Sequence, residues 1–204
     1  MAEETTKQRI ADAALNLFSK DGYTAVSIRD ICAQVGIKES TVYYHFKNKR
    51  AIFNELLQTF ERTAQGMMDL LDHEINGVDR IENTAFQMVC DVFFENYLMD
   101  GFCNRFIRLI SLEQMNNEEV QALYIKWMFD EPLWFQSRIF SRMIAAGIMP
   151  SANSDYTAIK YYAPIYLYTQ RYLLNGELTE QKKADFRLEA ARHIINFFKE
   201  CGVR

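Results

Sequence analysis

Residues that interrupt helices are scarce in this chain: three prolines and eight glycines among 204 residues, 49% of which are apolar. That balance suits a helical protein, and the helical patterns along the chain make the expected fold all-α with about nine helices. No run approaches the ~18 consecutive apolar residues that a membrane span needs. The Met1-Ala-Glu-Glu start is acidic rather than basic and apolar, unlike a secretion signal, so the cytoplasm is the expected location and a membrane is not an expected partner. Cys32, Cys90, Cys103 and Cys201 are widely spaced, without paired metal-ligand spacing, so reduced and mostly buried thiols are expected. His73 and His193 stand apart from each other and from any cysteine pair, so no metal site is expected. A glycine-rich phosphate loop, a nucleophile elbow and helical metal-ligand pairs are all missing. An enzyme is therefore not expected, and neither is a cofactor.

What is present begins near the N-terminus. Thr5-x-x-Gln8 is a capping box, followed by Ile10, Ala13, Ala14, Leu17 and Phe18 on one helical stripe that Gly22 closes. Ser27-Ile-Arg-Asp30 is a second box, and Ile28, Ile31 and Val35 give the next helix one apolar face. Gly36 provides the backbone freedom of a tight inter-helix turn. After it, only Val42 and Phe46 look buried, while Thr41, Tyr43, Tyr44, Lys47 and Lys49 are groups suited to phosphate and sugar. Three helices within about fifty residues, the last two closely joined, form a helix-turn-helix whose final helix enters a major groove.

Gln8-Arg-Ile-Ala-Asp-Ala-Ala-Leu-Asn-Leu-Phe18, Gly22-Tyr23, Ser27-Ile-Arg-Asp-Ile31, Gly36-Ile37 and Tyr43-Tyr44-His45-Phe46-Lys47-Asn48-Lys49 together resemble the DNA-binding domain of TetR-type transcriptional regulators. The match covers residues 5 to 53; beyond residue 55 only length and helical pattern agree. Resemblance implies phosphate anchoring by Ser27, Thr41, Tyr43, His45 and Lys49, with Lys47 beside them. It implies base reading by Arg29, Lys38, Glu39, Ser40 and Tyr44. Two positions depart from the family. Lys38 replaces the usual Ser or Thr at the start of helix 3, where it cannot cap and places a cation near the positive helix end, at a cost of about 1 kcal/mol. Glu39 could accept from a cytosine N4 amine while repelling backbone phosphate. Cys32 falls where the family favours alanine and reads as a packing residue.

Charge divides along the chain. Residues 1 to 50 carry eight Lys/Arg and six Asp/Glu, net +2, and residues 51 to 204 carry fifteen and twenty-one, net −6. The excess positive charge accompanies the reading head, as salt-dependent DNA binding requires. The expected domains are 1–50, for DNA, and 51–204, for ligand binding and dimerisation, connected by a helix over 49–72 whose tilt could reposition the head. Further helices are predicted over 78–99, 103–115, 118–129 and 131–146, the last with Pro132 at its start. Two more follow over about 155–175 and 179–201, with Thr179 as cap and Pro164 inside the first as a source of a kink.

The last two helices carry wide stripes, Tyr161, Ile165, Tyr168 and Tyr172 in one and Phe186, Ala190, Ile194 and Phe197 in the other. Resemblance implies that they pair with a second copy as a four-helix bundle; an intrachain core is the alternative. A two-fold dimer suits a palindromic operator. For an apolar or aromatic effector the candidates are Met88, Phe93, Tyr97, Phe106, Trp127, Trp134, Tyr162 and Tyr166, with Glu113 as a possible counter-charge, set against the alternative that such residues are simply core. The leading functional expectation is a homodimeric repressor released from double-stranded DNA by a small molecule. Its alternatives are a helical small-molecule-binding protein or enzyme with a retired reading head, and an activator or corepressor-dependent regulator.

Overall fold

The computed structural model describes residues 5–76 and 92–202. Among them are nine α-helices and no strand: α1 (Thr6–Asp21), α2 (Ile28–Val35), α3 (Glu39–His45), α4 (Lys49–Asn76), α5 (Gly101–Glu113), α6 (Glu118–Ile125), α7 (Glu131–Ala145), α8 (Ser154–Tyr168) and α9 (Glu180–Glu200). Single π-turns occupy Phe94–Leu98, Lys126–Asp130 and Thr169–Leu173. The helix predicted over 118–129 therefore widens after Ile125, and the one predicted to 175 widens after Tyr168. Most of the helix predicted over 78–99, with Met88 and Cys90, lies outside the described residues. Pro164 sits within α8.

The chain forms two compact units, one of 1–65 with 101–123 and the other of 66–100 with 124–204. The helix-turn-helix expected over 1–50 thus shares its unit with the first half of α4, with α5 and with most of α6. The physical reason is core volume: α1 to α3 are too short to bury their own apolar faces.

In the first unit both capping boxes form. Thr5 Oγ1 accepts from Gln8 N at 3.2 Å and Ser27 Oγ from Asp30 N at 3.3 Å, with each partner side chain bonding back to the cap backbone. Gly22 (φ 85°) and Gly36 (φ 75°) take positive φ at the ends of α1 and α2, Gly36 in the left-handed helical conformation. Ile10, Phe18, Ile31, Val42, Phe53, Phe60 and Phe106 are buried together, and Phe106 stacks on Phe60 with ring centroids 4.5 Å apart. Packing of α5 against α1 carries this core.

The second unit is built on α8, which packs against α7 on one side and α9 on the other. Asn153 caps α8 by accepting from Tyr156 N, and Thr179 caps α9 by accepting from Lys182 N. Phe140, Tyr161 and Phe197 meet edge-on or tilted at centroid distances of 5.3–5.5 Å, and Phe94 meets Phe186 at 5.2 Å. No helix among the described residues is long and apolar enough to cross a membrane.

Candidate nucleic-acid interface and ligand cavity

The sequence of α3 leaves it one buried residue, Val42, so the rest of its surface is free to face a partner. Tyr44 is 85% exposed and Tyr43 51% exposed, with Lys38, Ser40 and Lys47 also exposed and Thr41 and His45 half-buried. The Tyr44 and His45 rings meet edge-on at 5.0 Å. Lys38 is the residue before α3 and makes no side-chain cap, as its chemistry dictates.

Arg29 and Glu39, from neighbouring helices, meet here. Arg29 Nε donates to Glu39 Oε1 at 3.0 Å while the Arg29 side chain stays 85% exposed. The carboxyl of Glu39 is thereby matched to a cation of the same unit, and the bond uses only Nε of the exposed Arg29 guanidinium. Sequence reasoning placed both residues at the interface but missed their pairing.

Two expected phosphate contacts have other partners. Lys49 Nζ donates to the carbonyls of Val26 at 2.7 Å, Tyr23 at 2.8 Å and Thr24 at 3.4 Å, and lies 4.4 Å from the Tyr23 ring centroid. Burial pulls its pKa down, against Glu113 and Asp30, which pull it up. This ammonium holds the α1–α2 loop onto the start of α4. The Ser27 hydroxyl donates to Asp30 Oδ2 at 2.6 Å, inside its capping box. That bond and the Ser27 backbone bond hold the Asp30 carboxyl below the ordinary range. Cys32 is buried, which pushes its thiol up and away from the reactive thiolate.

Glu113, expected as a counter-charge for a ligand, belongs to the first unit and is 3% exposed. It accepts from Thr24 N at 3.2 Å and from the Thr24 hydroxyl, so α5 also clasps the α1–α2 loop. The loop is held from two sides, by Glu113 and by Lys49. No sequence signal connects positions 24 and 113, which are 89 residues apart.

A cavity of about 30 Å³ opens in the second unit, lined by Met68, Leu71, Phe93, Phe94, Pro132, Phe135, Gln136, Ile139, Tyr161, Tyr162 and Ile165. Phe93 and Tyr162 come from the predicted ligand set. Phe106 does not belong here, because it is in the core of the first unit. Trp134 is 57% exposed, with the Arg138 guanidinium over its ring at 4.5 Å. Tyr97 stacks on Phe93 at 5.2 Å behind the wall, and Trp127 is buried elsewhere. The Tyr166 hydroxyl pairs with that of Tyr124 at 2.8 Å, and Gln170 Nε2 donates to the latter at 3.1 Å. Among the described residues no group of three or more His, Cys, Asp or Glu is placed to hold a metal ion.

The predicted dimer residues need correction too. Tyr161, Ile165, Phe186, Ala190, Ile194 and Phe197 are each at most 5% exposed within one protomer, so they are intrachain core. Tyr168 and Tyr172 are half-buried. The exposed large apolar residues of these helices are others: Tyr156, Ile159 and Leu167 on α8, and Leu188 and Ile195 on α9. The signal was available, because α8 is apolar nearly all round, which marks a helix covered on both sides.

The family model for tetR-family bacterial regulatory proteins matches residues 10–56. The N-terminal helix-turn-helix segment, residues 10–56, is thus of the tetR-family type. It is 30% identical over 118 residues to IcaR of Staphylococcus epidermidis, the negative transcriptional regulator of the biofilm operon icaADBC, a match covering 56% of this chain and 59% of that protein. The chain thus spans less than two thirds of this curated relative. Its fold superposes on a candidate TetR-family regulator from Mesorhizobium loti with a TM-score of 0.69 at 18% identity, covering 95% of each chain. It superposes on a candidate transcriptional regulator from Saccharomonospora viridis, solved in complex with choline, with a TM-score of 0.64 at 20% identity, again covering 95% of each. The expected all-α fold is met, and the expected family is matched over residues 10–56.

Proposed function

We propose that the chain is a homodimeric repressor that reads a palindromic operator through α3 and is released when a small apolar or aromatic effector enters the cavity of the second unit. One observation carries the DNA half: α3 buries a single residue and turns Tyr43, Tyr44 and Lys47 outward beside the Arg29–Glu39 pair. A surface of hydroxyls, rings and cations has little to do in a solvated helix and much to do on phosphate and base edges. IcaR, a negative regulator, supports the sign of the effect. In this reading Thr41, Tyr43, His45 and Lys47 anchor phosphates, and Lys38, Ser40, Tyr44 and the Arg29–Glu39 pair face bases. Lys49 and Ser27 shape the head instead. The DNA-reading domain is residues 1–50, supported within its compact unit by α5.

Dimerisation uses the outward face of α8 and α9. Ile159, Leu167, Leu188 and Ile195 are apolar residues left exposed by a protomer that buries the opposite faces of the same helices. A second copy covers them isologously, as a two-fold operator demands.

The choline complex of the S. viridis protein shows this fold holding a small molecule, which supports an effector here. One continuous helix, α4, lends Met68 and Leu71 to the cavity wall and Ile52 and Phe53 to the core of the reading unit. An effector that shifts α4 changes the head's fit to DNA, and DNA and effector weaken each other reciprocally by about 5–150-fold.

The test is fluorescence anisotropy on DNA from immediately upstream of its own gene and on fragments from random-sequence selection, with excess unrelated competitor and a salt series. Saturable binding that survives competitor, with log affinity falling linearly in log salt, is expected. Failure of selection to enrich any sequence would overturn the DNA reading. Sedimentation of Leu167→Glu/Ile195→Glu, expected to be monomeric, tests the dimer face. A double variant that remains dimeric rejects that face.

A further inference from the structure

We infer that the effector is an uncharged, largely apolar molecule with one hydrogen-bond donor, and that Gln136 Oε1 receives that donor. This rests on the cavity of the second unit being the effector site. Its described wall is carbon: Met68, Leu71, Phe94, Phe135, Ile139 and Ile165 surround it, and no Asp, Glu, Lys or Arg is among the described residues that line it. An ion placed there would lose its hydration without gaining a counter-charge, which disfavours charged ligands by orders of magnitude. The polar groups are few. The Tyr162 hydroxyl is already engaged, donating to the Met128 carbonyl at 2.8 Å.

Gln136, on α7, differs. Its amide oxygen is buried and has no hydrogen-bond partner among the described residues, although the side chain belongs to the cavity wall. Buried acceptors are nearly always satisfied, because an orphaned one forfeits the bond it makes in water. At about 30 Å³ the cavity exceeds the ~10–15 Å³ that one water molecule needs, so water can meet this oxygen while the site is empty. A ligand that displaces that water must replace its bond or leave the oxygen orphaned. An apolar wall with one unmet acceptor is therefore a selector: carbon surface supplies affinity and the donor supplies discrimination. Larger effectors enter by pushing aside the half-buried Phe93 ring and the flexible Met68.

Phenol and toluene are a nearly isosteric pair that differ by hydroxyl against methyl. We would titrate each into the full chain and follow amide NMR shifts, with tetramethylammonium as a charged probe. The expected result is phenol binding about tenfold tighter than toluene, equivalent to about 1.4 kcal/mol. Phenol, and not toluene, should also shift the Gln136 side-chain amide resonance in the wild type, a readout that needs no variant. In Gln136→Leu, checked for unchanged thermal unfolding, the preference should vanish or reverse. Equal affinities in the wild type would overturn the donor assignment and leave the cavity reading standing. Tighter binding of tetramethylammonium would overturn the uncharged class. Absence of any probe-induced shift at the cavity walls would overturn the cavity reading itself.

Discussion

The two units dispose of their apolar surface differently. In the first, the described large apolar residues that remain exposed are Tyr43 and Tyr44 on the reading helix, with Leu112 and Met115 at the end of α5. In the second they are spread over several helices and include Leu70, Trp134, Ile159, Leu167, Leu188 and Ile195. A helix with one apolar face can bury it in only one way, so α1, α2 and α3 dock as their stripes require. A helix that is apolar nearly all round, such as α8, can turn any of several faces to its own core, and periodicity does not say which.

The sharpest test of this contrast sets Phe106 against Trp134, two aromatics of one sequence class. Phe106 is fully buried and stacked on Phe60, so Phe106→Ala should destabilise the chain by about 3–5 kcal/mol in denaturant unfolding. Trp134→Ala should cost less than about 1 kcal/mol, since that ring is mostly in water and holds only Arg138. Similar losses would show that burial in the two units is not what separates them.

Lys49 and Lys47 offer the next contrast. Removing the Lys49 ammonium frees three carbonyls of the α1–α2 loop, at about 1–2 kcal/mol of stability allowing for its partial exposure, while the salt slope of DNA binding stays unchanged. Lys47→Ala should leave stability alone and reduce that slope by about one. A salt-slope change for Lys49→Ala, measured by anisotropy across the salt series, would return it to the phosphate.

Gly66 lies mid-helix in α4, where an added Cβ meets nothing within 4 Å. Gly66→Ala should therefore raise stability by about 0.5–1 kcal/mol, read as a shift in denaturant midpoint. The smallest effect is electrostatic. Hydrogen bonding to Arg50 holds the Glu119 carboxyl below its ordinary 4.5, as Arg187 does for Glu95 in the other unit. A carboxyl with a depressed folded value stabilises above its unfolded value and loses that contribution as pH falls through the folded one. Glu119→Gln should thus narrow the stability gap between pH 7 and pH 3 slightly, because the pair is exposed.

Legibility in the sequence followed interaction range. Both capping boxes, the turn at Gly36 and the uncapped Lys38 depend on residues within four positions of each other, and all could be read. The part played by α5 could not, because it joins the first compact unit from far along the chain. For the same reason Glu113 read as a possible ligand counter-charge, although its partner is Thr24. Of the predicted ligand set only Phe93 and Tyr162 line the cavity, and its distinctive group, Gln136, is a commonplace residue whose unmet oxygen exists only once the surrounding helices are in place.

Gly22 carries a further consequence, for how this chain can change over generations. Its φ of 85° already disfavours a side chain, and a Cβ built there would lie 3.2 Å from Glu113 Oε2. The carboxyl that meets Thr24 therefore also reserves the space at position 22. Alanine at 22 should be tolerated best when position 113 has shortened to aspartate, so a screen for second-site suppressors of Gly22→Ala should return to a codon ninety-one positions downstream. Two sites that look unrelated along the gene share one vacancy, and neither can drift alone.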